Sequence, residues 1–439
     1  MRILFCSAYL PPYAPLAAAR ISKLAAYLWR QGHDLRLYGA KNTHMPRLIE
    51  PEFPTDNAVY ADFHDPRDTP TNLLKSLKPR RPAQAKAEAG ANGATAPAAP
   101  PRPARPSRLK QGFWSVYETF FALPDPYCRW AHAAPEALRQ AWPDWRPNII
   151  YATAPPHSSS LAAHTLAEHY RVPWVAELRD LWTSHPYYDA PWLRRPIERR
   201  LENKTLGTAA GLVTVTRTWE TWLGRYGKPT LLAMNGFARE DYVAAPPRKS
   251  ELMPVSDDDL VLVYAGALYG EKRDPRPILR ALKQLSAEGI GNIRLVFYTP
   301  DQAAAQATVD REEAGALVHV LPPIGRKDVL LREQAADILL LLRWDNPAED
   351  SVIAGKLFEY IGARRPILSV GRTAGEAAEI IRDNGFGLVS NDPDEIAAYL
   401  KRAAHGDATA DPAPHDHRRD AFDRVAQFEK IERFLAELT

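Results

Sequence analysis

A chain of 439 residues is longer than one hydrophobic core ordinarily supports, so two domains are expected. An apolar share of 45% and a charged share of 25% are those of an ordinary globular protein, and a net charge of +3 gives no case for nucleic acid as a partner. Cys6 and Cys128 are the only cysteines, too few for a disulfide framework, which points to a reducing compartment and hence to the cytoplasm. Met1-Arg2 leads into a short apolar strand and then Pro11-Pro12, unlike a signal peptide, and no apolar run is long enough to span a bilayer.

Short apolar runs alternate with amphipathic stretches, the pattern of βαβ units and parallel sheets. The first predicted strand covers 3–6 and the first helix 18–30, with Ile21, Leu24, Ala25 and Leu28 at helical spacing. Strands follow at 35–38, 148–151, 174–177, 211–216 and 230–233, and helices at 159–169 and 196–206. A second series then opens, marked by Pro246-Pro247 and the acidic stretch Ser256-Asp257-Asp258-Asp259. It places strands at 260–264, 293–298, 317–321, 337–342 and 366–370, and helices at 275–287, 301–313, 374–382 and 393–403. A final amphipathic helix at 418–438 carries Phe422, Val425, Phe428, Ile431 and Leu435. The expected domains are 1–235 and 236–415, followed by a C-terminal helix at 416–439. Residues 79–107 are rich in Pro and Ala with almost no large apolar residue, and read as a disordered insertion in the first domain.

The stretch Gly355-Lys356-Leu357-Phe358-Glu359-Tyr360 through Leu368 reads as a short helix, a basic turn and a buried strand. Lys356 and Glu359 fall on one face near the helix N-terminus. A helix N-terminus favours phosphate, and a nearby carboxylate suits a ribose; the alternative is a simple surface ion pair. Tyr264-Ala265-Gly266 ends a strand in a small-residue loop, followed by Lys272 and Arg273. Such a loop lies at the carboxyl end of a parallel strand, where α/β folds bind ligands, and small residues let backbone approach a diphosphate.

The stretch from Gly355 to Leu368 resembles the donor-site helix of GT-B glycosyltransferases, in particular the retaining family 4. The resemblance implies a fold of two Rossmann-like domains facing across a cleft, with the last helix crossing back to the first domain. It makes Glu359 the ribose ligand, with Lys356 and Leu357 beside it, and makes Gly266, Lys272 and Arg273 the diphosphate loop. Two positions depart from the family: Ala267 stands where Arg is frequent, and Ser351 stands eight positions before Glu359 where a second acid is usual. Glu349 and Asp350 adjoin Ser351 as substitutes for that acid. The loop from Tyr9 to Arg20 matches the family's first-domain loop, with Leu16-Ala17 in place of a Gly pair; Arg20 in the first helical turn hints at an anionic partner.

Glu177-Leu178-Arg179-Asp180-Leu181-Trp182 resembles an "RD-x-W" sequence of the family branch that builds bacterial surface polysaccharides. There Asp180 orients an acceptor hydroxyl or acts as base, and Arg179 binds an acceptor phosphate; the alternative is a buried ion pair. His157, in the loop after another strand, contacts the sugar or relays a proton, or else caps a helix. Asn235-Gly236-Phe237 resembles the segment entering the second domain, its Gly expected at positive φ. Gly385-Phe386-Gly387 resembles a structural turn.

Two stretches mix aromatics with cations: Phe113 to Trp130, including Tyr127, and Trp182 to Arg200. Each is either core or a surface for an anionic membrane. The resulting expectation is a hexosyltransferase-type glycosyltransferase, cytoplasmic or at the inner face of the membrane. Its donor is a UDP- or GDP-linked sugar and its acceptor a polysaccharide or lipid-linked molecule. No Asp-x-Asp motif implies a metal, and no further cofactor is expected. The alternatives are a nucleotide-sugar 2-epimerase and a non-catalytic nucleotide-sugar-binding protein.

Overall fold

A computed structural model describes residues 1–14, 18–45, 47, 49–63, 65, 122–406 and 417–439. The expected insertion at 79–107, the pair Leu16-Ala17 and the aromatics from Phe113 to Phe121 lie outside these residues. Two compact units are present. Met1–Ala25, His33–Ala176 and Tyr188–Ala209 make the first; Ala26–Gly32, Glu177–Tyr187 and Ala210–Thr439 make the second.

The strands are β1 Arg2–Ser7, β2 Asp34–Ala40, β3 Ala58–Ala61, β4 Ile149–Ala154, β5 Trp174–Leu178, β6 Gly211–Thr214, β7 Thr230–Leu232, β8 Leu260–Ala265, β9 Ile293–Tyr298, β10 Val318–Leu321, β11 Ile338–Leu342, β12 Ile367–Val370 and β13 Gly387–Val389. The main helices are α1 Ala19–Arg30, α2 Cys128–Ala141, α3 Ser158–Tyr170, α4 Arg194–Leu206, α5 Arg217–Leu223, α6 Arg276–Ala287, α7 Gln302–Arg311, α8 Arg326–Ala335, α9 Gly355–Ala363, α10 Glu376–Asp383, α11 Pro393–Ala404 and α12 Arg424–Glu437.

Seven strands form one sheet in the order β3-β2-β1-β4-β5-β6-β7, and six form another in the order β10-β9-β8-β11-β12-β13. Both follow the Rossmann order, in which the strand sequence reverses once. In the second sheet the reversal lies between β8 and β11, which pair in parallel with Ile338 opposite Leu262. Ligand sites in such sheets open at the carboxyl ends of the two strands flanking the reversal. The loop beginning at Gly266 and the loop beginning at Arg343 therefore meet there.

A parallel strand is covered on both faces, so it reads as a continuous apolar run. The five residues of β11, Ile-Leu-Leu-Leu-Leu, are all buried. Leu262, Tyr264, Leu340 and Leu342 pack to one side with Ile278, Leu282 and Leu400. Val261, Val263, Leu339 and Leu341 pack to the other with Leu357, Phe358 and Ile361 of α9. Helix α9 is thus clamped by three apolar residues on one stripe, which leaves Lys356 and Glu359 on its other side.

Two details differ from expectation. The final helix is broken: residues 417–420 form a short helix and α12 starts at Arg424. Phe237 and Asp423 pair as a parallel bridge, with Phe237 N donating to Phe422 O at 3.1 Å and Arg424 N to Phe237 O at 2.8 Å. Extended backbone is needed for that pairing, and Asp423 then caps α12 by accepting from Val425 N. Gly236 is not among the positive-φ glycines. Its small size matters instead, because a Cβ there would lie 2.7 Å from the Arg424 backbone. Of the two readings of the first aromatic stretch, Tyr127 and Trp130 follow the core one: Trp130 stacks on Tyr38 at 4.7 Å and donates Nε1–H to Gly39 O at 3.1 Å. Among the described residues no helix is long and apolar enough to cross a membrane.

Phe358 is the largest apolar anchor of α9. Its replacement by Ala is expected to destabilise the fold by about 3–5 kcal/mol, measured as the shift of the urea unfolding transition; a change below about 1 kcal/mol would show that α9 is held by other contacts.

Candidate functional site

Strand β8 ends at Ala265, and the loop turns at Gly266 with φ +149°. A Cβ on Gly266 would lie 1.8 Å from Lys356 Nζ, and the positive φ is one that residues with a side chain adopt poorly. The loop is fixed from both sides: Tyr264 Oη donates to Ala267 O at 2.7 Å, and Leu268 N donates to Asp301 Oδ2 at 2.7 Å. Further along, Arg273 N donates to Leu268 O at 3.1 Å.

Lys356 is the second residue of α9. Its Nζ is buried and has no hydrogen-bond partner among the described residues. It sits 4.5 Å from the centroid of the Tyr264 ring. Burial pulls its pKa down to about 8, and the Arg273 guanidinium nearby adds to that. A buried amine with a second cation beside it and no acceptor is electrostatically incomplete. An anion would complete it.

Glu359 lies one turn further along α9 and is about a quarter exposed. Its Oε1 accepts from Arg326 Nε at 3.2 Å, and Arg326 Nη2 donates to Asp241 Oδ2 at 2.8 Å. Its backbone carbonyl accepts from Tyr242 Oη at 2.9 Å. Close by, Glu333 of α8 is 1% exposed and both of its carboxyl oxygens lack a partner among the described residues. Burial, and then the charge of Glu359, push its pKa well above the usual carboxylate range. Burial thus favours the protonated form of Glu333.

The other residues expected at the donor side are placed differently. Lys272 is exposed, with Nζ 4.6 Å from the Trp344 ring centroid and 5.8 Å from that of Tyr187. Tyr187 stacks on Trp344 at 6.2 Å and donates its hydroxyl to Glu349, all within the second unit. Arg273 lies over the Tyr269 ring at 4.8 Å. Ser351 is partly exposed in the loop before α9. The neighbouring Asp350 is gripped by Arg372 at 2.8 and 2.9 Å, which holds its carboxyl below the usual range. Both stand-ins for the missing acid are thus already engaged. Buried Arg343 ties the loop together by donating to the carbonyls of Arg372, Ala374 and Glu349.

After β5, Trp182 is buried and Asp180 Oδ1 lies 3.4 Å from His185 Nε2. His185 Nδ1 accepts from Tyr187 N at 3.2 Å, so Nε2 carries the proton toward Asp180. Arg179 adjoins Asp180 in the same loop. In the first unit, Arg20 is in the first turn of α1 and only 7% exposed, and His157 occupies the position before α3.

Sequence reading missed Arg326, Asp241, Glu333, Trp344 and His185. The only signal for Arg326 was its place just after a strand and a Pro-Pro-Ile-Gly loop. Asp241 meets Arg326 only through the fold, whereas His185 meets Asp180 and Tyr187 within its own loop. Among the described residues no group of three or more His, Cys, Asp or Glu is gathered for a metal.

Residues 17–232 match the family model described as a glycosyl transferase 4-like domain. The fold is GT-B, and residues 17–232 are similar to a glycosyl transferase 4-like domain. Sucrose-phosphate synthase from Thermosynechococcus elongatus is similar over 99% of this chain and 98% of its own, with a TM-score of 0.62 and 13% identity. HepE of Anabaena, solved in complex with UDP-glucose, is similar over 99% of both chains, with a TM-score of 0.59 and 14% identity. A Listeria monocytogenes protein provisionally assigned as a UDP-N-acetylglucosamine 2-epimerase covers 98% of this chain and 94% of its own, with a TM-score of 0.56 and 13% identity. At these identities the likeness speaks for the fold. No curated protein matches the sequence.

The Lys356 amine is expected to titrate near pH 8. Competitive acetylation followed by peptide mass spectrometry should give a midpoint for Lys356 well below that of surface lysines; a midpoint above 10 would mean that the amine is solvated.

Proposed function

We propose that the protein is a retaining glycosyltransferase that moves a sugar from a UDP- or GDP-linked donor to a polysaccharide or lipid-linked acceptor. The observation that carries this reading is the buried Lys356 amine, facing Gly266 beside Arg273 with no acceptor of its own. A diphosphate supplies that acceptor, and Gly266 lets it approach the backbone. Glu359, with Leu357 anchoring its helix, takes the ribose hydroxyls. As the glycosidic bond breaks, charge builds on the leaving diphosphate, where Lys356 and Arg273 stabilise it; Lys272 joins them by leaving the Trp344 ring. The bound UDP-glucose of HepE supports a uridine donor.

Arg179 and Asp180 serve the acceptor. His185 orients the Asp180 carboxylate. Resemblance to family 4 supports retention, with the leaving diphosphate assisting removal of the acceptor proton. The acceptor class rests on the "RD-x-W" sequence and on a surface of the first unit. There Trp192, Leu193 and Ile197 are 81%, 48% and 41% exposed at the start of α4, beside exposed Arg195, Arg199 and Arg200. Apolar side chains interleaved with arginines suit an anionic lipid surface.

A nucleotide-sugar 2-epimerase is the second reading, favoured by the Listeria likeness and by Ser351 in place of an acid. Nucleotide release measured with and without acceptor separates the two: a transferase needs the acceptor, an epimerase converts its sugar without one, and a binding protein does neither.

Glu359→Ala is expected to weaken UDP or GDP binding at least tenfold by calorimetry, with an unchanged melting temperature; equal affinity would remove Glu359 from the site. Donor affinity is expected to fall as pH rises through about 8, because Lys356 loses the proton that pairs with the diphosphate. Arg273, Glu333 and Glu359 are the other groups that set this titration. Lys356→Met should lower affinity and flatten the pH profile; a profile unaltered by that change would assign the titration elsewhere. Vesicles containing phosphatidylglycerol should retain the protein at low salt and release it at high salt, and Trp192→Ser should reduce retention. Failure to bind such vesicles at low salt would argue against the lipid-surface role.

A further inference from the structure

We infer that Arg326 is a positioning residue for ribose recognition: braced by Asp241, it holds one oxygen of the Glu359 carboxylate and reserves the other for the ribose hydroxyls. This inference rests on the nucleotide-sugar reading and adds the device that makes Glu359 selective.

Arg326 is the first residue of α8, where a cation opposes the helix dipole. Two carboxylates offset that cost, Asp241 at 2.8 Å and Glu359 at 3.2 Å. Of the two, Asp241 is the more enclosed, with its side chain 16% exposed against 27% for Glu359. The guanidinium is therefore anchored at its Asp241 end and presents its Nε–H to Glu359. A planar fork of fixed donors suits that task better than a lysine does.

The neighbouring residue strengthens the case. Asp241 and Tyr242 are consecutive, and both converge on Glu359: Tyr242 Oη donates to its backbone carbonyl, and Asp241 reaches its carboxylate through Arg326. Backbone and side chain of one residue are thus fixed from a single short segment. Only Oε1 of Glu359 is engaged with Arg326, and Oε2 makes no hydrogen bond among the described residues. A glutamate side chain loses substantial rotamer freedom when it is held. Arg326 makes that loss before ligand arrives, so a ribose meets a preset acceptor. The buried acid Glu333 lies near the same carboxylate.

The test compares binding of UDP with that of 2′-deoxy- and 3′-deoxy-UDP, and of GDP with its deoxy forms, by calorimetry on the full chain. Inorganic pyrophosphate is the probe for the Lys356 and Arg273 end. Wild type should prefer the ribonucleotide by about tenfold or more, and Glu359→Ala should abolish that preference. Arg326→Ala should reduce it to threefold or less, while leaving pyrophosphate affinity and melting temperature unchanged. Arg326→Lys should be intermediate, and Asp241→Asn should act in the same direction.

If wild type binds neither nucleotide, the nucleotide-sugar reading fails and this inference fails with it. If Glu359→Ala keeps the preference, the ribose ligand is misassigned, and Arg326 with it. If Glu359→Ala loses the preference and Arg326→Ala keeps it in full, the positioning role alone is overturned.

Discussion

The close approach of the Lys356 amine to the α-carbon of Gly266 is the constraint on which the candidate site depends. It requires β8 and β11 to be neighbours, so that a loop near residue 266 and a helix near residue 356 meet. It requires α9 to be pressed on the sheet by Leu357, Phe358 and Ile361, so that the residue before them turns toward β8. It also requires glycine at one position with a backbone that other residues adopt poorly. Sheet order, helix packing and backbone conformation thus converge on one charged atom. Without that convergence the amine would be an ordinary surface lysine.

The same contact bears on a departure from the family pattern. Ala267 stands where an arginine is frequent in the family that the sequence resembles. A cation nonetheless reaches this loop, supplied by the helix rather than by the strand. The missing acid at Ser351 has no such replacement in view, because Asp350 is held by Arg372 and Glu349 by Tyr187. The loop after β8 thus faces a buried cation, whereas the carboxylates beside Ser351 are held by other partners.

Much of the architecture was legible because parallel strands announce themselves. The apolar run of β11 and the spacing of Ile21, Leu24, Ala25 and Leu28 both survive in the structure as buried positions. Helix α9 and the arginine turn after it were likewise evident, since Phe358 and Tyr360 alternate with Lys356 and Glu359. What stayed hidden was non-local. Helix α8 opens with consecutive cations and carries a buried glutamate, so its pattern does not read as amphipathic. Asp241 and Arg326 are far apart in sequence, and no local rule pairs them. The break in the final helix has the same origin: Phe422 and Val425 fit a continuous helical stripe, and only Phe237 on a remote segment shows why the backbone straightens between them.

That break has a further consequence for the order in which the chain becomes ordered. The crossover between the two αβ series, around 233–239, takes few of its partners from nearby sequence. Met234 N is bonded to Gln427, Arg239 to Asp420 and Asp423, and Gly236 is shaped to admit the backbone of Arg424. During synthesis the crossover emerges long before any of these residues exist. The crossover is thus held by contacts of long sequence separation, which are made only after the entropy of closing a long loop has been lost.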